Sequence, residues 1–438
     1  MKSATAENEI DKINCSYTTI PLKFGVDRKV NKFEEVPDDL PRISLDMVES
    51  ETGIIKENNE GSELGTGLVE FQRGNVLFAK LRPYLAKVFE AEFRGAASPE
   101  FIVLEPKEFD SRFLHYLCLS NDFIDRVNAS TYGAKMPRAS WNFIGNLQVP
   151  CPNISVQEKI AEYLDQQVGY IQDGIKHLED LHSLLGEKQN SLISYVITPQ
   201  DVQDSDNPLT GVPEHWEVIR LKYLLNRLEQ GWSPKCNDHP SKRDEWGVLK
   251  AGAANNGEFH PNENKALPND KEPRPELGVS EGDLIMNRAS GSADLLGSVA
   301  IVPQNTSKLM LCDKLFRLHV RNEVVLSEYL YIVLRSKPLR HQINKEISGA
   351  EGLANNIPQS AVKNLKIPIP SRSEQKIIVE NISQRENKLD DYLSKTNRLI
   401  SLLNEKRQSI ITKAINGQID LRTIESTNTQ EATYGKNS

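Results

Sequence analysis

The chain has no Gly-x-x-x-x-Gly-Lys-Ser/Thr loop, and so no ready cradle for a nucleoside triphosphate. Its five cysteines, Cys15, Cys118, Cys151, Cys236 and Cys312, lie far apart and form no CxxC pair. That spacing excludes a zinc ribbon and fits reduced thiols in a cytoplasmic protein. The eight histidines show no metal-ligand spacing. Nowhere do eighteen apolar residues run together, and residues 1–15 are polar and acidic, so neither a membrane span nor a signal peptide is expected. An excess of base is also lacking. Net charge is −8, residues 1–208 are acidic, and only 209–370 and 371–416 carry a small surplus of Lys and Arg. An isolated nucleic-acid binder is usually basic, so such a role needs local patches or a basic partner.

What is present is a repeat, and a repeat decides the architecture before any single motif does. Residues 147–198 lie on 365–416 at a constant offset of 218, without a gap. Leu147-Gln148-Val149-Pro150-Cys151-Pro152 matches Leu365-Lys366-Ile367-Pro368-Ile369-Pro370, and Ser183-Leu184-Leu185-Gly186-Glu187-Lys188 matches Ser401-Leu402-Leu403-Asn404-Glu405-Lys406. Each copy reads as a short Pro-bounded strand and then a long helix. Asn153 and Ser371, with Ser155 and Ser373 as alternatives, stand where a side-chain oxygen can cap the helix. Leu164, Ile171, Leu178, Leu185 and Leu192 recur every seven residues, as do Ile382, Leu389, Thr396, Leu403 and Ile410. That period predicts a coiled-coil seam, whose mixed companion row (His182, Gln189, Glu386, Arg407) would fix register.

A fainter repeat opens each half: Tyr17, Ile20, Leu22-Lys23-Phe24 and Arg28 match Trp216, Ile219, Leu221-Lys222-Tyr223 and Arg227 at an offset of 199. A fixed frame therefore carries two unequal inserts, the second 19 residues longer. Both inserts show short apolar runs between turn signals, followed by a short helix, which suits antiparallel strands rather than βαβ crossovers. A chain of 438 residues is also too long for one core. The expected parts are a lead-in (1–16), a first domain (17–152), a first helix (153–198), a linker (199–208), a second domain (209–370), a second helix (371–416) and a tail (417–438). The fold class is α+β: two mixed α/β domains with largely antiparallel sheets, joined by two long antiparallel helices as a coiled-coil spacer, with a pseudo-two-fold. A helix over 155–197 would be roughly 65 Å long, enough to straddle on the order of ten to twenty base pairs of B-DNA.

These residues carry a family resemblance. The paired Leu-x-Val/Ile-Pro-x-Pro plus helix, the run Ile400-Ser401-Leu402-Leu403-Asn404-Glu405-Lys406-Arg407-Gln408-Ser409-Ile410-Ile411 followed by Asn416-Gly417-Gln418-Ile419-Asp420, and Val212-Pro213-Glu214-His215-Trp216 leading into Leu221-Lys222 resemble the specificity subunit of a type I restriction-modification enzyme. The resemblance covers nearly the full length. It implies that the inserts are target-recognition domains, each reading half of a split site in double-stranded DNA. It also implies that the helices set the gap and dock two methylation subunits, and that translocating endonuclease subunits join them. S-adenosylmethionine, ATP and Mg would then belong to those partners, with no cofactor or metal on this chain. The first helix departs from the pattern by ending in Ser194-Tyr195-Val196-Ile197-Thr198, without an Asn-Gly stop, and Tyr17 stands where Trp216 stands.

No catalytic residue is expected. Adenine methylation needs an Asn/Asp-Pro-Pro-aromatic loop, and the nearest candidate, Asn207-Pro208-Leu209, lacks the second proline and the aromatic. The glycine-rich stretch 291–297 reads as a turn. Two stretches of the acidic first domain hold bases without acids: Arg73, Lys80, Arg82 and Lys87 around Tyr84, and Lys135 and Arg138 beside Tyr132. Arginine and lysine serve phosphates or guanine edges, and tyrosine stacks or meets sugar. The corresponding places in the second domain are Asn287-Arg288-Ala289-Ser290 and 348–356, where Asn355 and Asn356 suit adenine, with Lys250 as a further candidate. Two rival readings stand beside this one: a scaffold with two protein-binding heads on a coiled-coil spacer, and a self-contained methyltransferase.

Overall fold

The computed structural model describes residues 17–56, 66–133, 135–197, 209, 211–292, 295–306, 308–347 and 355–419. The expected lead-in, the linker 199–208, the stretch 348–354 and the tail from 420 lie outside the described residues. The chain divides into two compact units, Met1–Glu179 with Asn397–Ser438, and Asp180–Thr396.

In the first unit the main sheet has four antiparallel strands in the order β2 (Val26–Lys29), β8 (Phe101–Pro106), β5 (Val76–Ala79) and β6 (Val88–Glu90). The apolar run Val76-Leu77-Phe78-Ala79 is buried on both faces, because β5 lies inside the sheet and the sheet is covered twice. Val76 and Phe78 face a helical layer, α2 (Ser111–Leu119) and α3 (Asn121–Ala129), whereas Leu77 and Ala79 face a small mixed sheet. That small sheet is β3 (Arg42–Ile43), β7 (Gly95–Ala97) and β4 (Val69–Phe71), with β7 in the middle. A two-stranded ribbon, β1 (Thr19–Pro21) with β9 (Gln148–Pro150), ties the start of the domain to its end, flanked by the short helices α1 (Leu22–Gly25) and α4 (Trp141–Ile144).

The second unit repeats this plan. Its main sheet runs β11 (Leu225–Gln230), β20 (Leu315–Val320), β16 (Leu284–Asn287), β18 (Val299–Ile301), all antiparallel and in the same chain order as its counterpart. Helices α6 (Ser327–Arg335) and α7 (Lys337–Lys345) match α2 and α3, and the ribbon β10 (Glu217–Arg220) with β22 (Lys366–Ile369) matches β1 with β9. The small sheet differs: β12 (Gly247–Leu249) lies between β15 (Asn264–Ala266) and β19 (Leu309–Met310). In both units the first and last strands of this sheet are parallel neighbours, but the second strand pairs with the last in one unit and with the first in the other. The longer insert adds the ribbon β13 (Ala254–Asn255) with β14 (Glu258–Phe259), whereas the pair β17 (Ala289–Ser290) with β21 (Asn355–Asn356) stands where the first unit has single bridges, and the helix α8 (Gln359–Asn364) matches α4.

The long helices are α5 (Ile154–Ile197) and α9 (Arg372–Ile415), of 44 residues each and related by the offset of the sequence repeat. Asn153 caps α5 through its Oδ1, which accepts from Val156 N at 3.0 Å. At α9 Ser371 and Glu374 form a reciprocal box: Glu374 N donates to Ser371 Oγ, and Ser371 N donates to Glu374 Oε2 at 3.0 Å. The helices pair antiparallel. In the first unit Leu164 and Val168 of α5 share a core with Ile411, Ala414 and Ile415 of α9, and in the second Ile193 of α5 packs with Ile382 of α9. The heptad row is therefore graded. Leu164 and Ile171 on α5 and Ile382, Leu389 and Thr396 on α9 are buried, whereas Leu178, Leu185 and Leu192, and Leu403 and Ile410, further along the same helices, are half-buried. Arg407, assigned to the companion row, is buried and lies 3.7 Å from Glu51 on a loop of the first domain. Burial lowers its pKa, and the Glu51 carboxylate opposes that.

Leu164→Ala, at a position with no exposure, should cost about 2–5 kcal/mol in urea unfolding, and Leu184→Ala, 62% exposed, less than about 0.5 kcal/mol. The His215 and Ser371 hydrogen bonds hold the Glu374 carboxyl down at about 2. Its folded pKa lies below the ordinary 4.5, so its contribution is present above that value and is lost as pH falls toward 2. Glu374→Gln should flatten the urea midpoint between pH 4.5 and 2 relative to the wild type; an unchanged slope would refute the assignment.

Candidate DNA interface

In each unit two stretches far apart in sequence meet at the end of the central strand. In the first, Leu81 pairs with Arg138, Arg138 also pairs with Tyr132, and Ala139 N donates to Lys80 O at 2.9 Å. In the second, Ala289 pairs with Asn356, Ser290 with Asn355, and Ile357 N donates to Arg288 O at 2.9 Å. The backbone pattern is the same, and the side chains differ. The two stretches singled out in each domain are thus neighbours in space.

The first-unit surface carries Arg82, Tyr84, Tyr132, Lys135 and Met136, all exposed. Tyr84 sits in a 3-10 turn, Pro83–Leu85, held between Arg82 and Ala86. Both flanking residues have positive φ, 50° and 43°, a conformation that costs a side-chain-bearing residue energy and tends to mark functional loops. Arg82 N donates to Pro137 O at 2.8 Å, which fastens this turn to the second stretch.

Other sequence candidates already have protein partners. Lys80 Nζ donates to Pro99 O at 2.6 Å, and Arg288 Nη1 donates to Asp313 O at 3.1 Å, at the equivalent place in the second unit. Lys87 Nζ donates to Leu45 O at 2.6 Å. Burial lowers the pKa of both lysines, with nearby carboxylates opposing it. Arg138 forks onto Glu100 at 2.7 and 3.1 Å. Asn287 is 1% exposed, its amide nitrogen donating to Ala251 O at 3.0 Å and its oxygen accepting from Ala289 N at 3.1 Å, so it supports the surface from beneath. Lys250 precedes Ala251 and lies 3.5 Å from Glu263. Arg73 stands apart, in the turn that leads into β5, whereas the paired stretches meet at the other end of that strand.

The sequence reading missed two features. Gln157 and Gln375, one turn into the long helices, are buried and fully hydrogen-bonded. Only their shared offset signalled them. In the second unit Arg317, in the main sheet, bonds Glu229 at 2.5 Å, Asp283 at 2.9 Å and the carbonyls of Gly278 and Glu276. Burial would pull this guanidinium's pKa down, but the two carboxylates outweigh it and the net shift is upward. Exposed Lys-aromatic pairs recur as well: Lys23 over Phe24 at 5.3 Å and Lys222 over Tyr223 at 4.8 Å.

Both units are thus α/β heads of one plan, each with a loop pair and each rooted on a long helix, and the loop chemistry differs between them. The family model described as Type I restriction modification DNA specificity domain matches residues 50–178 and 213–402, and the chain belongs to that family. It is 30% identical over 209 residues to the type I restriction enzyme EcoEI specificity subunit of Escherichia coli, a match spanning 48% of this chain and 34% of the relative. Identity to the StySPI specificity subunit of Salmonella potsdam is 21% over 323 residues, covering 72% of this chain and 67% of the relative. For the EcoKI specificity subunit of Escherichia coli K12 it is 22% over 337 residues, covering 75% and 68%. The match thus spans about a third of the first relative and about two thirds of the other two. A chain from a solved type I R-M system, studied for its complex assembly and conformational transition, shares the fold at a TM-score of 0.68. Its identity is 16%, over 92% of this chain and 99% of that one.

Side chains that brace the surface should separate from those that only decorate it. Asn287→Ala should cost about 1–3 kcal/mol of stability, because it strands a buried carbonyl and a buried N–H. Arg82→Ala should change stability by less than about 0.5 kcal/mol. Urea midpoints of the purified variants check both.

Proposed function

We propose that this chain is the non-catalytic specificity subunit of a cytoplasmic type I restriction-modification system, each head reading one half of a split site in double-stranded DNA. The observation that carries this reading is the shared backbone frame at Leu81 with Arg138 and at Ala289 with Asn356, filled with basic and aromatic side chains in one unit and with amides in the other. Such surfaces suit two different base sequences: arginine pairs with guanine edges or phosphates, and Asn with adenine. In the first head Arg82, Lys135, Tyr84 and Tyr132 are the contacts, and in the second Asn355 and Asn356. Asn287, Lys80 and Arg288 shape the surface from behind.

The long helices set the unread gap and dock two methylation subunits. Leu181 and Leu184 on α5, and Leu399 and Leu402 on α9, are exposed at matching positions of the repeat, as expected if each receives the same partner. Translocating endonuclease subunits join that complex. S-adenosylmethionine, ATP and Mg act on the partners. A net charge of −8 implies that these partners supply much of the attraction to the DNA backbone.

Gel retention of the cognate duplex should therefore be strong for the complex with methylation subunits and weak for this chain alone. Arg82→Ala in the complex should weaken binding by about 1–3 kcal/mol and relax or weaken one half-site only. Absence of sequence-specific retention by the assembled complex would refute the proposal.

A further inference from the structure

The two long helices are joined to their domains by the same buried side chain. Gln157 is 0% exposed: its Oε1 accepts from Asp110 N at 2.9 Å, and its Nε2 donates to Glu108 O at 2.9 Å and Pro152 O at 2.8 Å. Gln375 is 1% exposed: its Oε1 accepts from Leu326 N at 2.9 Å, and its Nε2 donates to Val324 O at 3.3 Å and Pro370 O at 3.1 Å. The head-side partners are equivalent too. Asp110 is the N-cap of α2 and Leu326 the N-cap of α6, the helices that pack on the main sheets. Each glutamine thus bonds the long helix to the lead-in of the head's own helix through backbone groups that no surface substitution alters.

Around this common bolt each unit has its own second tie. In the first, Tyr116 Oη donates to Asp165 at 2.9 Å and Arg112 to the same carboxylate at 3.0 Å. In the second, Arg335 donates to Glu386 at 2.9 Å. Each joint therefore has two separated polar ties between the short head helix and the long helix, set in the apolar core that the two share. Two points fix a direction, where one would leave a swivel.

We infer that Gln157 and Gln375 are positioning residues that fix the direction of each head on its long helix, and through it the strictness with which the complex measures the gap between half-sites. This rests on the bipartite reading proposed above. A head that swivels keeps its loop surface, and so its half-site. It loses the penalty for a half-site placed one base pair too near or too far. The amide is needed because an apolar substitute takes the side-chain partner from two carbonyls and one N–H, the Pro152 and Pro370 carbonyls in buried bonds and the lead-in groups in half-buried ones, and the lead-in can then relax toward water.

The test uses the full chain assembled with its methylation subunits, after the methylated sequence has been mapped in the host. Methyl transfer is measured on duplexes whose half-sites are cognate and whose gap is cognate, or one or two base pairs shorter or longer. A second set keeps the cognate gap and changes one base in either half-site. For Gln157→Met and Gln375→Met, discrimination between the cognate gap and a gap one base pair off should fall about tenfold, roughly what losing one buried amide's bonds is worth. Half-site discrimination should stay within about twofold. Tyr116→Phe, which deletes one hydroxyl from the second tie, should loosen the gap in the same direction by a smaller factor and keeps the question open to measurement if a glutamine variant folds poorly. Variants as strict about the gap as the wild type would overturn the inference, and so would loss of gap and half-site discrimination together. A wild-type complex indifferent to the gap would instead overturn the proposed function.

Discussion

A buried primary amide has two donors and an acceptor, and an interior that does not meet all three loses more than it gains by burying the group. Gln157 and Gln375 meet all three with backbone atoms, in the same way in both units. The consequence reaches well beyond the side chain. Each amide links the turn before a long helix, the lead-in of a short head helix and, through that helix, the central sheet. Around it the apolar contacts of Leu164, Val168 and Phe113 complete the core that helix and domain share.

The internal repeat acts as an alignment of two sequences, and it sorts the structure into what every head needs and what each head is for. Sheet order, ribbon, capped long helix and buried glutamine recur. So does the basic residue after the central strand, Lys80 or Arg288, donating to a carbonyl at the same place. What changes is the small sheet, where the second strand crosses to the other side, and the chemistry of the paired loops. Variation is thus concentrated on the side of the main sheet away from the helices and at its rim, the helix side differing in its second tie, Asp165 in one unit and Glu386 in the other.

Much of this was legible in the residues. The offset of 218 located both long helices, and Asn153 and Ser371 marked their starts, because caps and proline-free runs are local features. The stretches around Lys80 and Arg138 stand out by charge, and those around Arg288 and Asn355 by their corresponding places in the second domain, though the direct pairing in each unit is a property of the sheet and not of either stretch. Which bases within them are free was not legible. Lys80 and Arg82 differ by two positions, yet one is spent on a carbonyl and the other faces solvent, since strand alternation and a left-handed turn decide it. Arg407 shows the same limit: the heptad placed it in a helical row, and tertiary packing gave it to Glu51.

The core of the first unit is assembled from two separate parts of the chain, with Ile411, Ala414 and Ile415 closing over Leu164 and Val168. The second unit is continuous in sequence, from Asp180 to Thr396. During synthesis the order of completion is therefore inverted. The domain made first must wait with an apolar stripe uncovered until the whole of the second has been made, while the second can close its core as soon as it emerges. Contacts between segments so far apart are slow to form and leave sticky surface exposed meanwhile. The first domain of this chain is the one whose core stays open until residues 411–415 have been made.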